Sequence, residues 1–370
     1  MIMALIHLGA YIILLLEKPF RQPADSVSKS HSVNKILLIQ TKHLGDMLLA
    51  LPAINEARQK YPQAKISLLV GSWNRDLIKH LDWIEEVIIF DAPWLRRQKS
   101  TINNQLSTIN LIRQLRQRHF DLAYDLGGDF YSNLILWRAR IANRIGLCSA
   151  GRRFLTQCQP VNHQEPRCLN LLKIINPTTE EKDIDFKWRF LPTDKIRVNR
   201  FLAHLRQGFG GQVVAIHPVS PVAAKNWPLE YWQKVVDWLM EKKCQVILMG
   251  TQAEKDIQPD IFPPRRQIID CRGEFNVRET IYLLSKIDLF IGGDSAPGHF
   301  AALVKISQIS IFSIANEPAK WRPFNQRAIL LKHQVACQNC QLFNCPKNNL
   351  CLRQISPTEV ITVIKRTNCI

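Results

Sequence analysis

From residue 35 onward, two hydrophobic periods alternate along the chain. Short apolar runs at residues 35–39, 65–70, 87–90 and 121–125 are bounded by polar or turn residues and read as strands buried on both faces. Between them, residues 46–60 carry Met47, Leu48, Leu51, Ile54 and Ala57 on one side at helical spacing, and residues 109–118 and 130–142 read as further helices. Pro52 interrupts the first of these and predicts a kink. Strand–helix alternation of this kind predicts a parallel sheet with helices on both faces.

The pattern weakens over residues 148–211, which hold Pro160, Pro166, Pro177 and Pro192, and the Gly-rich stretch 206–211 marks a natural boundary. Alternation then restarts: strands are expected at 213–217, 245–249, 267–269, 289–292 and 309–312, with helices at 231–242, 277–285 and 358–365. The expected fold class is therefore α/β, two Rossmann-like domains facing each other across a cleft, at residues 34–205 and 206–370. Residues 1–33 form an apolar N-terminal extension and a Ser-rich linker. Its apolar run, residues 2–16, falls short of the roughly 20 residues a membrane span needs. It lacks the basic start and small-residue cleavage site of a secretory signal. Three readings stay open: an interfacial anchor, a helix packed on the body, or a non-native tail from an upstream start codon.

Composition changes the picture in one respect. With 46% apolar and 22% charged residues the chain is a folded one, but its formal charge of +18 calls for anionic partners. Nucleic acid, a membrane surface and phosphorylated substrates all qualify, and no RNP, zinc-finger or basic-zipper pattern favours the first. Of ten cysteines, Cys148, Cys158, Cys168, Cys244 and Cys271 are scattered through the α/β pattern, which fits a reducing cytosol. The cluster Cys337-x-x-Cys340-x4-Cys345-x5-Cys351 has spacing suited to a structural zinc site, or to reduced thiols without metal.

Ligand groups in open α/β sheets gather beyond the carboxyl ends of the strands, and three such ends are chemically rich. After residue 291 the chain runs Gly292-Gly293-Asp294-Ser295-Ala296-Pro297-Gly298-His299 into an apolar helical segment. Small residues there allow close approach to the main chain, and unpaired helix amides favour an anion. The same string also fits a plain strand-to-helix turn with an Asp or Ser cap. Gln40-Thr41-Lys42-His43-Leu44-Gly45-Asp46 offers a carboxylate, either a base or a helix cap. Ser220 and Lys225 follow His217-Pro218, a hydroxyl and a mobile cation suited to a diphosphate, and Glu254 follows Met249-Gly250-Thr251, placed to hold ribose hydroxyls. Neither a P-loop nor a GxGxxG string follows a strand, which removes the usual support for a nucleotide triphosphatase or a dinucleotide oxidoreductase.

Taken in order, residues 35–52, the string Phe120-Asp121-Leu122-Ala123-Tyr124-Asp125-Leu126-Gly127-Gly128, His217-Pro218 with Lys225-Asn226-Trp227-Pro228, and Asp294-Ser295-Ala296-Pro297-Gly298-His299 resemble the lipopolysaccharide heptosyltransferases of glycosyltransferase family 9. The Asp-Ser-Ala-Pro-x-His form is most similar to the branch that adds the third, side-branch heptose of the inner core. The resemblance implies a GT-B fold, with a lipid-linked acceptor on the first domain and an ADP-heptose donor on the second. It implies inverting, metal-independent transfer without a cofactor. It makes Asp46 the catalytic base and Lys225 the cation on the donor diphosphate. Asp294 then lies near the heptose hydroxyls, Ser295, Gly298 and His299 line the diphosphate site, Ser220 joins the phosphate loop and Glu254 the ribose. The partners implied are ADP-heptose and an anionic, membrane-linked lipopolysaccharide core, with no nucleic acid, and the location is the cytoplasmic face of the inner membrane. Arg96, Arg97, Lys99, Arg138 and Arg140 are candidates to steer the acceptor. A same-fold transferase using another sugar nucleotide, and a nucleic-acid-binding module, are the rival readings.

Overall fold

A computed structural model describes residues 33–95, 102–184, 186–208, 210–315, 317–337, 339–367 and 369–370. The apolar run 2–16 and the cations Arg96, Arg97 and Lys99 lie outside these residues. Among the described residues, no helix is long and apolar enough to cross a membrane.

The first sheet contains β1 (Lys35–Gln40), β2 (Lys65–Val70), β3 (Glu86–Ile89), β4 (Leu122–Asp125), β5 (Asn143–Leu147) and β6 (Gln157–Gln159). Its order is β3-β2-β1-β4-β5-β6, with parallel pairing throughout. The longer helices among these strands are α1 (Leu44–Lys60), α2 (Ile102–Arg118) and α3 (Phe130–Arg138). In β1 and β2 every residue after the first is buried, as expected of strands covered on both faces. Leu37, Ile39, Leu69, Leu115 and Leu136 anchor the apolar core here. Despite Pro52, α1 runs unbroken.

After α4 (Arg167–Ile175) and α5 (Pro192–Gly208), the second sheet follows the same plan. It comprises β7 (Val213–His217), β8 (Gln245–Leu248), β9 (Ile268–Asp270), β10 (Leu289–Gly293), β11 (Ser307–Ile311) and β12 (Ala328–Leu331), in the parallel order β12-β11-β10-β7-β8-β9. Its helices include α6 (Leu229–Glu241), α7 (Gln252–Ile257), α8 (Val277–Leu284), α9 (Ala296–Leu303) and α10 (Pro357–Arg366). Trp232, Val235, Ile291, Ile311 and Ile364 belong to its core. A buried ion pair, Arg278 to Asp194 at 2.6 Å, ties α8 to the start of α5, with the guanidinium 4.9 Å over the Trp188 ring.

By density of contacts, one compact unit contains the described residues up to Lys42 with Glu56–Ser72 and Trp83–Val161, which hold the first sheet. The other contains His43–Asn55, Trp73–Asp82 and the chain from Asn162 on, with the second sheet. Asp46 therefore belongs to the same unit as Lys225 and Asp294.

One expectation fails in the first unit. Cys148 and Cys158, expected to be reduced, are joined in a disulfide. The register explains it: Gly146 lies opposite Cys158 in the parallel β5–β6 pair, and the Cys148 N–H donates to the Gln159 carbonyl at 2.8 Å. The two thiols are thereby set side by side. The other cysteines described are free.

Candidate active site

The site is built on the carboxyl ends of β7 and β10. At Gly292 any added Cβ would stand 2.6 Å from the buried Phe290 ring, so a residue without a side chain is needed where the strand turns toward α9. Ser295 is the N-cap residue of α9, yet its side chain makes no capping bond, and Pro297 in the first turn has no N–H to offer. The Ser295 hydroxyl sits instead 3.0 Å from Nδ1 of His217, the last residue of β7. The Asp294 carboxylate forms an ion pair, lying 2.6 Å from the Lys225 ammonium.

Lys225 stands on a firmly held loop. The Asn226 side chain accepts from the Ser220 N–H at 2.8 Å and donates to the Ser220 carbonyl at 3.0 Å. Asn349 donates to the carbonyls of Ala223 and Asn226, and the Trp227 indole donates to the Ile355 carbonyl. His217, Ser220, Lys225, Gly293, Asp294 and Ser295 share the lining of one shallow pocket. Positive charge, a hydroxyl and a helix N-terminus without a side-chain cap thus converge on one spot, chemistry that suits a diphosphate.

Glu254 is engaged differently. Its carboxylate accepts from the Thr251 N–H at 2.7 Å, closing a capping box on α7, and stands 3.3 Å from Nε2 of His217. Burial pushes this carboxyl up, but the bonds from His217 and Thr251 outweigh it and hold it below the usual range.

Asp46 lies in the first turn of α1, not at its cap: the helix begins at Leu44, and the His43 carbonyl accepts from the Met47 N–H. Its carboxylate is 3.6 Å from Nε of Arg167, the first residue of α4. His299 is buried, its Cδ2 stands 3.6 Å from where a Cβ on Gly45 would sit, and it feels the charges of both Asp294 and Asp46. Burial lowers its pKa and outweighs those two carboxylates, which favours the neutral imidazole. Gly298, one residue earlier, packs its backbone against Gln308, whose amide donates to the Gly298 carbonyl at 2.9 Å. Along α1 and α9 runs a cavity of about 630 Å³, with Leu48, Pro52, Phe186, His299, Leu303 and Phe324 among its walls.

The structure thus gathers Ser220, Lys225, Asp294 and Ser295, and places His299 within electrostatic reach of Asp46. Sequence reasoning missed two members. His217 had a signal, as the polar residue ending a buried strand; Arg167 had none, being a lone arginine in a proline-rich stretch. One further expectation changes. Arg138 is buried with its guanidinium 5.1 Å over the Trp137 ring, so it is no solvated steering group, whereas Arg140 is exposed. Among the described residues, which include Cys337, Cys340, Cys345 and Cys351, no group of three or more His, Cys, Asp or Glu side chains is placed to hold a metal ion.

Residues 108–350 match the family model of glycosyltransferase family 9 (heptosyltransferase). The chain belongs to glycosyltransferase family 9. Lipopolysaccharide heptosyltransferase 3 of Escherichia coli K12 is 28% identical over 301 residues, covering 78% of this chain and 85% of that one. The glycosyl transferase family 9 structure from Veillonella parvula superposes with a TM-score of 0.77 at 17% identity, over 91% of this chain and 98% of that one. Escherichia coli heptosyltransferase WaaC, solved with ADP-2-deoxy-2-fluoro heptose, gives 0.64 at 16% identity, over 90% and 99%. The two six-stranded parallel sheets are those of the GT-B fold, and the protein is a glycosyltransferase.

Proposed function

We propose that this family 9 enzyme transfers heptose from ADP-heptose to the inner core of lipopolysaccharide with inversion at the anomeric carbon. The observation that carries the proposal is the Lys225–Asp294 pair at 2.6 Å, set at the N-terminus of α9. A departing ADP needs positive charge at its β-phosphate, and an ammonium beside helix amides supplies it. In this reading Asp294, drawn onto Lys225, lies beside the sugar, while Ser220 and Ser295 each offer a hydroxyl to phosphate; Gly298, buried against Gln308, does not reach it. Glu254 reaches the ribose only if its capping bonds yield; as it stands it braces His217, which in turn orients Ser295.

In the transfer step the acceptor hydroxyl oxygen bonds to C1 of the heptose from the face opposite the phosphate. The C1–O bond to the β-phosphate breaks, its electron pair leaves with ADP, and the hydroxyl proton passes to Asp46. Removing such a base lowers the rate about 10²–10⁴-fold. The likeness to an enzyme named heptosyltransferase 3 supports a side-branch heptose as product. The formal charge of +18 supports peripheral contact with an anionic inner membrane carrying a phosphorylated acceptor.

Incubation with ADP-heptose and a truncated core acceptor, parent against Asp46→Ala, tests the proposal. Transfer by the parent, with loss of two or more orders of magnitude in the variant, is expected (about 10²-fold at least). Parental rates in Asp46→Ala would remove the base assignment, and turnover of a different sugar nucleotide alone would remove the donor.

A further inference from the structure

We infer that Arg167 is a positioning residue for the transfer step: its pairing with Asp46 orients the carboxylate toward the acceptor hydroxyl. The inference rests on the reading of Asp46 as the base. Three features of Arg167 carry it.

The first is that local structure disfavours a cation where Arg167 stands. It opens α4 directly after Pro166, which makes no side-chain cap, and the first turn of α4 holds no acid. A positive charge at the positive end of a helix is unfavourable. Arg167 is also buried, only 7% exposed, and burying a guanidinium carries a heavy desolvation cost unless a counter-charge is at hand. The carboxylate that compensates both penalties is supplied from a distant part of the sequence.

Geometry is the second. At 3.6 Å the Nε to Oδ1 separation is that of an ion pair, longer than the 2.7–2.9 Å typical of a charge-assisted hydrogen bond. A pair at this separation orients the carboxylate through charge.

The third is that Arg167 is itself held. Its Cζ lies 5.6 Å over the Trp321 ring, so the guanidinium is steadied by an indole as well as by Asp46. Asp46, in the first turn of α1, receives the favourable field of its own helix as well. Protonation of Asp46 during transfer leaves Arg167 facing a neutral acid, and the proton then leaves to solvent as the charged pair re-forms.

Arg167→Met and Arg167→Lys, measured beside Asp46→Asn with ADP-heptose and a truncated core acceptor, test the inference. Arg167→Met should lower kcat about 10- to 100-fold with the donor KM within about twofold. Arg167→Lys keeps the charge but not the planar head, so kcat should fall by a smaller factor. If Arg167→Met no longer binds ADP in a calorimeter, its fold is lost and Arg167→Lys decides alone. Lowered kcat with the donor KM held then supports the inference, and parental kcat contradicts it. Loss of activity in Asp46→Asn with parental kcat in Arg167→Met overturns the role of Arg167 only. Parental activity in Asp46→Asn overturns the base reading and this inference with it.

Discussion

The two sheets share one strand order, yet the groups at their carboxyl ends are used in opposite ways. In the first unit the polar side chains there are taken up by the backbone. Asp125 accepts from the N–H groups of Gly127 and Gly128 at 2.9 and 3.1 Å, and Asp129 caps α3 through Tyr131 and Ser132. Gln40 donates to the Leu126 carbonyl and Ser149 to that of Gly128. These bonds shape a turn. In the second unit a helix N-terminus is left without a side-chain cap, a cation and a carboxylate face each other at its mouth, and a histidine ties the serine hydroxyl to a glutamate. A shared topology thus supplies two sets of strand ends, and side-chain chemistry makes the second one suited to a diphosphate.

The largest effect that can break this contrast is expected at Lys225. Lys225→Met should lower kcat/KM about 10²- to 10³-fold, read from initial rates at varied donor. Next comes Gly292→Ala, whose new methyl meets the Phe290 ring at 2.6 Å. It should cost about 1–3 kcal/mol in urea unfolding.

A smaller effect sharpens the contrast through pH. Burial first, and the neighbouring Asp129 charge second, push the Asp125 carboxyl from 3.8 up to about 7. A carboxyl with a raised folded-state pKa holds its proton longer when folded, so the stability it contributes at low pH is lost as pH rises through that window. Glu254 has the opposite sign: its lowered pKa gives stability that is present above the ordinary carboxylate range and lost as pH falls. Asp125→Asn should therefore flatten the fall in stability between about pH 4 and 7, a slope of at most about 1.4 kcal/mol per pH unit. An unchanged slope would show that Asp125 does not titrate there. The smallest effect belongs to Asp129→Ala, which removes the α3 cap. A loss of about 1 kcal/mol is expected, with the donor KM unmoved.

Much of the fold was legible because parallel strands buried on both faces are written as short apolar runs, and β1, β2, β7 and β8 stand close to where those runs lie. β5 and β6 escaped notice, since Asn143, Arg144, Gln157 and Gln159 give them no such run. α4 was hidden behind Pro166, and α5 begins at Pro192, so prolines that suggested irregular chain stand at or beside helix starts. The Cys148–Cys158 bond depends on strand register, which spacing does not reveal. Among the candidate site residues, Lys225, Asp294 and Ser295 were legible because each follows a strand end. Arg167 was not, because the carboxylate that gives it meaning is far away in sequence.

The central claim is that the second sheet's strand ends receive the donor's β-phosphate through Lys225. Calorimetric titration of ADP and AMP into the parent and into Lys225→Met tests it as a double cycle. ADP should bind the parent about tenfold more tightly than AMP or better, and that gap should collapse in the variant. An equal gap in both proteins would contradict the claim.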